Sequence, residues 1–94
     1  MAKYLISYDL DKPGAKNYAR LETRLKELGA RRVLFSQWVL DYSANAASLE
    51  TDFNGYIDTG TDSFLIVQIG LGNSAWNRLR LSDDEFRKFL QSGY

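Results

Sequence analysis

The chain has 94 residues, 45% apolar and 14% aromatic, which suits one domain with a modest core and is too hydrophobic for a disordered segment. It has no cysteine and no histidine, which excludes disulfide scaffolds, zinc-thiolate sites, Ser-His and Cys-His catalysis and imidazole ligands. Twelve basic residues balance twelve acidic ones. The whole molecule therefore offers no strong field to nucleic acid, though a local patch stays open, and any chemistry must rest on carboxylates, hydroxyls, lysines, backbone dipoles or a hard cation held by oxygen.

In "KYLISYDLDKPG", residues 3–14, Tyr4, Ile6 and Tyr8 share one face of a strand and Leu5, Ser7 and Asp9 the other. No signal-peptide pattern precedes it and no apolar run is long enough to span a bilayer, so a cytoplasmic protein without a membrane partner is expected. The stretch 11–17, with the only proline, reads as a turn. Tyr18, Leu21, Leu25 and Leu28 then recur at helical spacing, and Gly29 ends that helix. "RRVLFSQWVLD" is β-branched and aromatic; Ser36 and Gln37 interrupt it, giving one long bulged strand or two short strands around a tight turn.

Ser43 is the expected N-cap of a second helix over 44–57, with Ala46, Leu49, Phe53 and Ile57 as its buried stripe. Gly55 inside it costs roughly 1 kcal/mol relative to alanine. "SFLIVQIG" is apolar almost throughout, which predicts a central strand, and "GLGN" breaks it. "SAWNRLRL" is either a helical turn or a short strand. In "SDDEFRKFL", Ser82 and Glu85 have capping-box spacing, Asp83 and Asp84 complement the helix dipole, and Phe86, Phe89 and Leu90 form an apolar stripe.

The order β-α-β(β)-α-β plus a tail predicts a single α+β domain over 1–94, with a core over 1–70 and a tail with a short helix over 71–94. Its architecture is the ferredoxin-like βαββαβ sandwich, an antiparallel sheet with both helices on one face. Right-handed crossovers put the first and last strands side by side in the middle. The other sheet face needs cover, which predicts a homodimer.

A first strand ending in Tyr8-Asp9, an amphipathic helix closed by Gly29, then Arg32-Val33 and Ser36 before the aromatic Trp38, and the strand "DSFLIV", together resemble the small CRISPR-associated family Cas-two. The virulence-associated protein D ribonucleases share its fold group. The resemblance covers residues 3–69. It implies a cytoplasmic, nucleic-acid-associated homodimer of antiviral defence or of toxin type. Asp9 from two protomers would hold Mg2+ or Mn2+ for an endonuclease acting on RNA or DNA; the mid-strand Ser36 and Gln37 either orient a phosphate or water near Asp9 or are simply a polar bulge. It equally implies a non-catalytic adaptor that bridges an integrase partner. A small-molecule regulatory domain is a third class open to this fold.

Read from spacing alone, Asp9 is either a turn acceptor or a cation ligand, and Asp11 a turn residue. Lys16, Arg20 and Arg24 form an i, i+4, i+8 stripe, with Arg31 and Arg32 just beyond. The stripe is either a phosphate-backbone track or, with Glu27 joining it, a solvated helix face. Trp38 and Trp76 are core or interface residues, or stacking platforms. "GLGN" lacks the context of a phosphate-binding loop.

Overall fold

The computed structural model describes residues 2–10, 16–70 and 75–91, with backbone alone at 16 and 17. Its elements are β1 (Ala2–Asp9), α1 (Lys16–Glu27), β2 (Arg31–Leu34), β3 (Gln37–Tyr42), α2 (Ala46–Asn54), β4 (Ser63–Ile69) and α3 (Asp83–Gln91). The strands form one sheet in the order β2-β3-β1-β4. Every pairing is antiparallel, from Ala2 opposite Tyr42 to Ser7 opposite Gln37, and from Lys3 opposite Ile69 to Asp9 opposite Ser63. This is the expected α+β, ferredoxin-like sandwich. The turn expected around Asp11 and Pro13, and the break at Leu71–Asn73, lie outside the described residues.

Alternation along the strands builds two cores, one on each side of the sheet. On the first face Tyr4, Ile6, Tyr8, Trp38 and Leu40 meet Leu21 and Leu25 of α1 and Leu49 and Phe53 of α2. Side chains of this size contribute about 1.5–3 kcal/mol each when fully buried. On the second face Val33 and Val39 are covered by Leu81, with Leu79, Phe86 and Phe89 packed around them. So α1 and α2 share one face as predicted, and α3 with the segment before it closes part of the other.

Helix α1 buries Leu21 and Leu25 fully, and Gly29 follows it at φ +84°, a conformation that side chains with a Cβ resist. Helix α2 starts later than expected. Its N-cap is Asn45, whose side chain accepts from the Ser48 amide at 3.0 Å, because an extended Asn45 reaches the open N–H group that Ser43 is too far back to meet. Gly55 is the C-cap and not an interior residue, so its helical cost does not apply.

The strand interruption is a tight turn: β2 ends at Leu34, β3 begins at Gln37, and Phe35 and Ser36 form the apex. Residues 75–82 are neither helical turn nor strand; they cross the second face irregularly and give β2 one backbone bond, Arg80 N–H to the Val33 carbonyl at 2.9 Å. β4 lies beside β1 as expected, but at the sheet edge and not at its centre. Its Phe64 and Ile66 pack on the first core, while Leu65 and Val67, on the other face, are 59% and 40% exposed. An apolar run thus signals cover on both faces without saying whether the same chain supplies it. Among the described residues, no helix is long and apolar enough to cross a membrane.

Candidate nucleic-acid interface and the surroundings of Asp9

Asp9 ends β1 with its side chain exposed, on the second sheet face and opposite Ser63. It borders a shallow depression of about 220 Å³ that Ser7, Ser63 and Leu65 also line. The β2–β3 turn reaches the same end of the sheet, where the Ser36 carbonyl accepts from the Tyr8 amide at 3.1 Å. Asp9 and Ser36 are therefore brought to neighbouring strand ends. No three acidic side chains gather among the described residues. Among the described residues, Asp9 is the carboxylate at this depression, with Ser7 and Ser63 beside it, fewer oxygen ligands than a hard cation takes.

Tyr8 points the opposite way, into the first core. Its hydroxyl accepts from Trp38 Nε1 at 2.9 Å and donates to Glu22 Oε2 at 3.0 Å. Burial pushes the phenol up to about 12; the Glu22 carboxylate adds to this, and the Trp38 and Arg32 donors oppose it. Arg32 pairs with the same Glu22 oxygen at 2.6 Å and lies over the Trp38 ring at 4.7 Å, leaving a buried Nε without a hydrogen-bond partner. Trp38 is accordingly a core residue, 3% exposed. Glu22 was invisible to pattern reading because its partners are tertiary.

The other candidate phosphate-binding residues are also engaged. Arg24 grips Asp52 through Nε at 2.9 Å and Nη2 at 2.6 Å, and reaches Glu27 at 3.4 Å. The Asp52 hydrogen bonds hold its guanidinium above the usual arginine range. Arg20 donates to the Gly55 carbonyl at 2.8 Å. Arg31 pairs with Glu85 of α3, and that contact, with Ser82 next, holds the Glu85 carboxyl below the usual range. The Lys16 side chain lies outside the described residues. The predicted track also divides between faces: Arg20, Arg24 and Arg32 lie on the α1 side, while Arg31 faces α3 with Asp9 on the second face.

Cations without a carboxylate partner among the described residues are Arg20 and Lys26 on α1 and, in the tail, Arg78, Arg80, Arg87 and Lys88. Arg80 lies over the ring of Phe35, 5.6 Å from its centroid, and Phe35 is 64% exposed. The alternating Arg78 and Arg80 of "NRLR" are the sequence signal of this patch, but the segment is irregular, so alternation alone does not tell which face it lies on.

No family model matches the chain. Its fold is similar to the crystal structure of a hypothetical protein from Thermus thermophilus, with a TM-score of 0.66 at 20% identity over 85% of this chain and 95% of that one. That similarity establishes the shared fold.

Proposed function

We propose that the protein is a homodimeric, nucleic-acid-associated scaffold of the Cas-two-like kind, working in the cytoplasm, which holds nucleic acid for a partner enzyme and does not cut it. The observation that carries this reading is β4. Among the described residues it is an edge strand with β1 beside it, and it leaves Leu65 and Val67 open on the half of the second face that α3 does not cover. An apolar strand at a sheet edge favours association, and a second copy of the same strand is the partner always present at equal concentration. The resemblance supplies the partner class, an integrase of a defence system.

A second reading, a metal-dependent endonuclease, is favoured by one placement: Asp9 and Leu65 line the same depression. Contact through Leu65 would bring the carboxylates of two protomers to one interface, where they repel until a proton or hard cation joins them. Cleavage of RNA and DNA with Mg2+, Mn2+ or EDTA separates the readings. The scaffold reading expects no metal-dependent products from the parent. Products abolished both by EDTA and by Asp9→Asn would establish the nuclease instead.

A further inference from the structure

Between the uncovered part of the second sheet face and the segment 75–91 runs an apolar groove of about 350 Å³, lined by Leu34, Gln37, Val39, Trp76, Leu79 and Phe86 among others. Its volume lies in the ~300–1,000 Å³ range of ligand sites. At the β2–β3 turn, Phe35 stands 64% and Leu34 42% exposed, with Arg80 over the Phe35 ring. Along α3, Trp76 packs edge-on to Phe86 at 4.8 Å, with the Arg87 guanidinium 5.7 Å from its ring centroid.

We propose that this groove, with Phe35 and Arg80 at the turn and Trp76 and Arg87 along α3, binds single-stranded nucleic acid. Bases stack on Phe35 and enter the groove beside Gln37, while phosphates meet Arg80, Arg87 and Arg78. The inference rests on the nucleic-acid reading above and names its surface, on the tail and turn and not on α1. Three observations favour an anionic, aromatic occupant. The arginines here lack carboxylate partners, whereas Arg24, Arg31 and Arg32 are spent on theirs. Of the three acids nearby, Glu85 is paired with Arg31, so Asp83, which accepts from Trp76 Nε1 at 3.0 Å, and Asp84 stand against the four cations Arg78, Arg80, Arg87 and Lys88. The exposed ring beside a cation is the arrangement on which bases stack without regard to sequence. A duplex keeps its base faces inside the stack, so the surface suits single strands.

Tryptophan fluorescence tests this, since Trp38 is buried and Trp76 is the reporter that a strand in the groove meets. A roughly 12-nucleotide oligothymidylate, within the size range of single-strand sites, should quench it at low salt, and a duplex of equal length should bind more weakly. Phe35→Ala should weaken binding at least about fivefold and Phe35→Tyr should restore it. Arg80→Ala should flatten the salt dependence by about 0.7 in the log-log slope. Arg20→Ala with Arg24→Ala should leave affinity unchanged. Phe35 is exposed, so these variants keep the parent's melting behaviour. Absence of binding by a folded dimer, preference for duplex, equal binding of a polyglutamate peptide, or loss only in the α1 variants would each overturn the inference. Binding retained by a monomeric Leu65→Asp variant would uphold it even where the dimer fails.

Discussion

The Tyr8 phenol stands where β1, β3 and α1 meet, accepting from Trp38 and donating to Glu22, which in turn holds Arg32. Tyr8→Phe should cost about 1–3 kcal/mol in chemical denaturation, because the buried indole N–H of Trp38 is left without its acceptor, while the Glu22 oxygen keeps Arg32. The pH dependence has a definite sign. An unfolded tyrosine ionises near 10 and folded Tyr8 at about 12, so between those values the unfolded state binds fewer protons and gains. The contribution is full below pH 10 and is lost as pH rises towards 12; Tyr8→Phe should lack this alkaline decline in the denaturation midpoint. Glu85 works in the opposite direction: its pKa is lowered from 4.5 by Arg31, so its contribution is present above 4.5 and is lost as pH falls through the lower folded value. Glu85→Gln should flatten that acid limb. Lys3 is 1% exposed, 2.6 Å from Asp41 and 4.5 Å from the Phe89 ring centroid. Asp41→Ala should destabilise by about 1–3 kcal/mol, less than for a fully buried pair because Asp41 is 39% exposed. Lys3→Met, which removes the buried charge itself, should be tolerated better, as thermal melts of the two variants would show.

Elements whose signals are local were legible, and those set by distant partners were not. The α1 stripe and Gly29, the Ser82–Glu85 capping box and the paired strands around Ser36 all rest on residues within one or two turns of each other. The Ser82 half of the box forms, Glu85 N–H donating to Ser82 Oγ at 3.2 Å, and the Glu85 carboxylate accepts from the Ser82 hydroxyl at 3.0 Å. Ser43 is the expected N-cap of α2, but Asn45 carries the same capping chemistry two residues later, and backbone geometry selects it. Asn45→Ala should cost about 0.5–2 kcal/mol and Ser43→Ala almost nothing, a contrast that denaturant titration reads directly. The edge position of β4 was hidden because its alternation looks the same whether its second face is covered by its own chain or another. The α1 arginines read as a phosphate track because Asp52, the acceptor that occupies Arg24, lies 28 residues away in sequence.

At the scale of the whole molecule, balanced charge is achieved by division of labour between the sheet faces. The α1 side spends Arg24 and Arg32 on Asp52 and Glu22, while the second face carries the tail cations, the exposed aromatic turn, Asp9 and the uncovered half of β4. Asp9 was legible as an exposed acid at a strand end, but its use depends on what lies across the open face, which one chain does not contain. The central claim is that a second copy of the chain lies there. Size-exclusion chromatography with light scattering tests it most directly, at micromolar concentration, on the parent and on Leu65→Asp, with circular dichroism to verify the fold of each. The account predicts twice the 10.7 kDa chain mass for the parent and the single-chain mass for a folded Leu65→Asp. A parent that elutes as monomer, or a Leu65→Asp variant that stays dimeric, would contradict it.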